Sequence, residues 1–129
     1  MSTNTAPGLA RIGQIGVSVR DLAAATRFYR DVLGLQFLFD APGMSFFDCD
    51  GVRLMLAKPE RAELDHAASI LYFRVADIGA SCAALKARGV HFEGEPLLVA
   101  RLPTHDLWLA SFRDPENNVL ALMSEVPRT

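Results

Sequence analysis

Residues 13 to 22, GQIGVSVRDL, alternate in character: Ile15, Val17 and Val19 are apolar, and Gln14, Gly16 and Ser18 stand between them. A period of two predicts a strand with one dry face and one polar face. Asp21 follows as a helix-start signal, since a carboxylate there satisfies free amides of the first turn. Leu22, Ala25, Phe28, Tyr29 and Val32 then recur at helical spacing, and Gly34 stands where a left-handed C-cap is wanted. The plan repeats. Val19, Asp21 and Leu22 match Val75, Asp77 and Ile78 at an offset of 56, Ile78, Cys82 and Leu85 keep the helical spacing, and Gly89 closes the copy.

The tails of the two copies match as well. FFDCDGVRLML and SFRDPENNVLAL both run apolar strand, acidic turn, apolar strand, with Asp48, Gly51, Leu54 and Leu56 paired to Asp114, Asn117, Leu120 and Leu122 at an offset of 66. Gly51 and Asn117 both tolerate the positive φ of a tight hairpin. Each copy therefore reads βαβββ, with strands near 11–19, 35–41, 44–49 and 51–57, then 68–75, 91–99, 106–113 and 118–124. The longer second copy places its extra residues in GEPLLVARLPTHD. The expected organisation is a flexible tail over 1–10, a first module over 11–57, a charged linker over 58–67 and a second module over 68–125. One module alone leaves a sheet face bare. The expected fold is α+β: two tandem modules joining into a curved eight-stranded mixed sheet, with helices outside and a cup inside. By parity Ile15, Val17, Val19, Leu71, Phe73, Val75, Leu54, Leu56, Leu120 and Leu122 are core. Gln14, Gly16, Ser18, Ile70, Tyr72, Arg74, Arg53, Met55, Ala57, Val119, Ala121 and Met123 face the cup.

Composition narrows the class. Of 129 residues 50% are hydrophobic, which permits a sizeable core in one domain. A net charge of −2 and the lack of a basic stripe argue against a nucleic-acid partner. No apolar run suits a membrane span, and MSTNTAPGLA lacks the regions of a signal peptide. Cys49 and Cys82 read as reduced thiols, so the expected location is cytoplasmic.

The motifs VSVRDLAAATRFYRDVLGL, FFDCDGVRLMLA, ILYFRVADI and SFRDPENNVLALM, in this order, resemble the vicinal oxygen chelate superfamily of glyoxalase I, bleomycin-resistance and extradiol-dioxygenase proteins. The resemblance runs from about residue 11 to 125. It implies a divalent ion in the cup of the metal-dependent members, held by His, Gln or Glu from the first and last strands of each copy. Such an ion acts as Lewis acid and template. The matching positions here are Gln14, Met55, Ile70 and Ala121. Three of the four depart from the metal pattern, so no cofactor is expected, and Zn, Ni, Mn or Fe is disfavoured at this place. The resemblance also makes a homodimer the expected assembly.

The remaining polar residues leave alternatives open. Gln14 suits a hydrogen bond to a ligand carbonyl or amide, or one to a neighbouring strand. Tyr72 with Arg74 suits an anionic or carbonyl-bearing ligand, whereas Arg74 and Arg53 also suit rim ion pairs. His105, followed by Asp106 and Trp108, is the best placed for proton transfer, or is an exposed loop histidine. Trp108 either stacks on a flat ligand or fills core. Met44, Phe46, Phe47, Met55 and Met123 suit an adaptable apolar wall. His66, His91 and the linker charges receive no role. The leading expectation is a small-molecule binder with an apolar, metal-free cup, of the sequestration or resistance type. The alternative is a lyase, isomerase or dioxygenase of the same superfamily, metal-independent or with a displaced metal. A module serving only dimerisation is the third.

Overall fold

The computed structural model describes residues 7–128. Residues 1–6, most of the expected tail, lie outside the described residues. The first module runs β1 (Gln14–Ser18), α1 (Leu22–Arg27), a wide helical turn (Phe28–Val32), β2 (Gln36–Ala41), β3 (Met44–Cys49) and β4 (Val52–Ala57). A short 3-10 turn at Ala62–Leu64 lies in the linker. The second module runs β5 (Leu71–Arg74), α2 (Ile78–Ala87), β6 (Leu97–Arg101), β7 (His105–Arg113) and β8 (Val119–Pro127).

The local signals act as expected. Asp21 accepts from the Ala24 amide and Asp77 from the Ala80 amide, each at 3.0 Å. Gly51 and Asn117 take positive φ, 96° and 66°, at the β3–β4 and β7–β8 turns. α1 does not stay α-helical: Leu33 N–H donates to Phe28 O at 2.9 Å, a five-residue span, where Tyr29 is fully buried. The strand expected at 91–99 begins only at Leu97. Gly94 and Pro96 interrupt it, and Phe92 makes a lone bridge to Phe112.

The sheets correct one expectation. They are two separate four-stranded sheets, ordered β1-β4-β3-β2 and β5-β8-β7-β6, and are not joined into one of eight strands. In each, the first strand lies parallel to the last and the hairpins are antiparallel. β1 and β5 are therefore the outer strands of their sheets, and each keeps a free edge. Parity shows which residues share a face but carries nothing about bonding between sheets.

The modules meet instead through the faces that carry the helices. Val17, Val19, Tyr29, Phe47, Leu54 and Leu56 form one buried cluster with Cys82, Leu85, Phe112, Leu120 and Leu122. The Tyr29 hydroxyl donates to Asp114 Oδ2 at 2.7 Å. Asp114 is buried and also accepts from the Glu116 and Asn118 amides and the Asn118 side chain. The Glu116 carboxylate in turn accepts the Arg20 and Asp21 amides, each at 2.9 Å, at the start of α1. Burial, and then the charge of Asp114, push the Tyr29 hydroxyl well above its usual pKa, so it stays a donor.

Candidate functional site

The face of the first sheet opposite α1 carries Gln14, Gly16, Arg53, Met55, Phe46 and Phe39, in the register Gln14↔Arg53, Gly16↔Met55, Phe46↔Met55 and Phe39↔Phe46. Their side chains form a continuous run across it. Phe39 stacks on Phe46 with ring centres 4.5 Å apart. The Arg53 guanidinium lies 5.4 Å from the centre of the Phe46 ring. Arg53 Nε donates to Gln14 Oε1 at 2.9 Å, and Gln14 Nε2 lies 3.7 Å from Met55 Sδ. Both ends of the Gln14 amide are thus engaged.

Beside this run lies a cavity of about 600 Å³, within the usual span for small-molecule sites. Gly16, Met44, Met55 and Ala57 line its sheet side, and Lys58, Glu60, Leu64 and His66 of the linker line the other. The linker is held there: Ser18 Oγ donates to Leu64 O at 2.9 Å, and Lys58 N–H to Gly43 O at 3.0 Å. Sequence reasoning missed these linker residues because their charges read as a solvated stretch. A lone Leu64 between charges was the only available sign.

The donor chemistry is poor at the four positions that the resemblance matches to metal ligands. Gln14 Oε1 is the only hard donor, and a guanidinium occupies it. Met55 offers a thioether, while Ile70 and Ala121 offer hydrocarbon. These residues do not fit a divalent ion. Among the described residues no three or more of His, Cys, Asp and Glu cluster in a way that could hold a metal.

The second sheet carries a different set. Tyr72, Arg74, Ala121 and Met123 share its corresponding face, in the register Tyr72↔Ala121 and Arg74↔Met123. Ala121 is almost fully buried, Ile70 lies one residue before β5, and Tyr72 is half exposed. His105 lies on β7 rather than in a loop. Its Nε2 is 3.0 Å from Glu125 Oε2 but out of line for a hydrogen bond, and Arg74 pairs with the other Glu125 oxygen. Thr104 Oγ1 lies 3.0 Å from His105 Nδ1. Asp106 pairs with Arg128.

The sequence-derived site residues therefore divide. Gln14, Arg53 and Met55 lie together on the first sheet; Tyr72, Arg74, Met123 and His105 lie on the second, and none of these four lines the cavity of the first. Trp108 sits opposite buried Ser124 on the helix-bearing side, beside the start of α2. Phe47 is core, not wall. A second hollow, of about 650 Å³, runs from Ile15 and Leu54 to Tyr72 and Arg74 and includes Cys49. Burial, then the charge of Asp48, raise the Cys49 thiol above its usual pKa, so it is not a poised thiolate.

Comparison with known proteins agrees with this architecture. The chain superposes on an integron cassette protein from the mobile metagenome of V. cholerae with a TM-score of 0.77, at 16% identity over 93% of this chain and 98% of that one. It is similar to TnmS3, an antibiotic binding protein from Streptomyces sp. CB03234, with a TM-score of 0.74 and 26% identity over 92% and 98%. It is similar also to a lactoylglutathione lyase from Agrobacterium tumefaciens, with a TM-score of 0.72 and 26% identity over 91% and 95%. The search of curated proteins returns no match. The model of one family matches residues 11–122, nearly the whole of both modules, and the chain belongs to the Glyoxalase/Bleomycin resistance protein/Dioxygenase superfamily.

Proposed function

We propose that the protein binds a small, largely apolar organic molecule in the cavity between the first sheet and the linker, without a metal, and holds it rather than transforming it. The observation that carries this reading is a cavity bordered by Met55, whose neighbour Gln14 has its side-chain oxygen tied to Arg53. A cation at Gln14 would meet a guanidinium. Met44 and Met55 give the wall a soft, adaptable surface. The similarity to an antibiotic binding protein supports a sequestering role. The working form is a cytoplasmic homodimer. Its two cysteines are free, and exposed Ile70, just before edge strand β5, with Tyr72 on it, suits contact with a second copy.

The test is elemental analysis of untagged protein purified without nickel resin, then thermal melting with Zn, Mn, Fe, Co and Ni. No metal near one equivalent and no stabilisation is the expected result. A stoichiometric metal lost in Gln14→Ala would overturn the reading.

A second reading, an enzyme of the same superfamily, draws on one observation: His105, Glu125 and Arg74 lie together on the second sheet. A carboxylate beside an imidazole suits proton transfer. Turnover lost in His105→Ala would favour it.

A further inference from the structure

We infer that the segment joining the two modules is the polar wall of the ligand cavity, and that His66 accepts a hydrogen bond from a phenol-type hydroxyl on a flat aromatic ligand. This deepens the proposed binding function and rests on it.

The linker is fastened to the first module by three contacts. Its Leu64 carbonyl accepts from Ser18 on β1, its Lys58 amide donates to the β2–β3 turn at Gly43, and Asp65 lies 3.7 Å from Arg20. Leu64 and Gly16 both line the cavity, and Gly16 leaves its sheet side low. A Cβ added at Gly16 would meet only the Met55 Cε, at 3.4 Å. A slot between a sheet surface and an apolar side chain suits a planar ring. The two methionines supply polarisable contacts to its faces and edges.

The polar edge of the slot has a defined chemistry. His66 Nδ1 lies 3.1 Å from the Ala67 carbonyl. A carbonyl only accepts, so Nδ1 carries a proton, and in the neutral imidazole that tautomer leaves Nε2 as the acceptor. Lys58 and Glu60 also border the cavity, and neither has an ion-pair partner among the described residues. Their opposite charges give neither an anionic nor a cationic ligand a net advantage. A neutral hydroxyl group suits His66 and Lys58 together: it donates to His66 Nε2, and its oxygen can accept from Lys58.

The probes are 2-naphthol, 2-methylnaphthalene and 2-naphthoate, titrated by their own fluorescence into full-length protein. Wild type is expected to bind 2-naphthol roughly threefold to tenfold more tightly than 2-methylnaphthalene, the range of one hydrogen bond, with 2-naphthoate no tighter than 2-naphthol. His66→Phe should bind the two neutral probes alike at the affinity of 2-methylnaphthalene, and His66→Gln, which keeps an acceptor, should restore part of the preference. Gly16→Leu fills the floor and should lose all three. Equal binding of the neutral probes by wild type, or a preference that survives His66→Phe, overturns the inference and leaves the cavity reading standing. Binding of no probe, or binding untouched by Gly16→Leu, overturns the cavity reading and the inference with it.

Discussion

The two modules share a plan but differ in how each helix meets the other module. Tyr29 on the helical turn of the first module corresponds to Leu85 on α2 of the second, at the offset of 56. Asp48 in the first hairpin corresponds to Asp114 in the second, at the offset of 66. The pair Tyr29–Asp114 makes a buried hydrogen bond across the modules. The pair Leu85–Asp48 cannot, and among the described residues Asp48 accepts only from the Gly51 amide. The buried clasp is therefore one-sided; the end of α2 meets the first module only through an exposed bond, Arg88 Nη1 to Val32 O at 2.9 Å. On the other side Asp48, Cys49 and Asp50 border the open hollow that reaches β5. A duplicated sequence has produced one structural seam and one free edge.

The sharpest way to break this comparison is to remove both aspartates in turn. Asp114→Ala strands the buried Tyr29 hydroxyl and frees two part-buried backbone amides, and should cost about 3 kcal/mol. Asp48→Ala removes one exposed turn bond and should cost about 0.5 kcal/mol. Urea unfolding of the two variants measures the difference. Equal costs would mean that the clasp is not one-sided.

Tyr29→Phe sharpens the same point, with an expected loss of about 1 to 2 kcal/mol near neutral pH. The loss should shrink in alkali. An unfolded tyrosine ionises near pH ~10, whereas the buried hydroxyl keeps its proton to higher pH. Above about pH 10 the unfolded chain thus holds fewer protons than the native one, and stability falls as pH rises. The clasp contribution is fully present below that pH, and the wild-type and Tyr29→Phe stability curves should converge above it. Parallel curves would contradict the assignment.

Glu116→Gln should have a smaller effect, about 1 kcal/mol, because it weakens acceptance of the Arg20 and Asp21 amides at the positive end of α1. Among the described residues no carboxylate of the first module accepts from the amides that open α2; its tie to that module is at the other end, from Arg88 to Val32 O. Hydrogen exchange should therefore slow at the Arg20 and Asp21 amides in wild type and quicken in the variant. The smallest expected effect is that of His105→Ala on ligand binding: none, since His105 lies on the second sheet.

Much of the fold was legible because the signals are local. Asp21 and Asp77 cap as a carboxylate at that position must, and Gly51 and Asn117 take the positive φ that their turns demand. The parity of β1, β4 and β8 placed Val17, Leu54, Leu56, Leu120 and Leu122 in the core, where they are buried. The joining of the sheets was not legible, since strand periodicity is blind to which edges meet. Trp108 needed the β7–β8 register to place it on the helix-bearing side. Of the site, Gln14, Arg53 and Met55 were legible as one face. Their mutual bonds were not: a ligand and a neighbouring strand were both open as partners of Gln14, and only the register Gln14↔Arg53 decides for Arg53. The linker wall depends on single side-chain-to-backbone bonds, such as Ser18 to Leu64, that leave no periodic trace.

The most direct test of the central claim is an amide chemical-shift map of the protein with 2-naphthol, recorded before and after treatment with EDTA. The expected result is a set of shifts centred on Gly16, Met44, Met55, Ala57 and Leu64 that EDTA leaves unchanged. Shifts centred on Tyr72, Arg74 and Met123, or shifts that vanish with EDTA, would contradict a metal-free site on the first sheet.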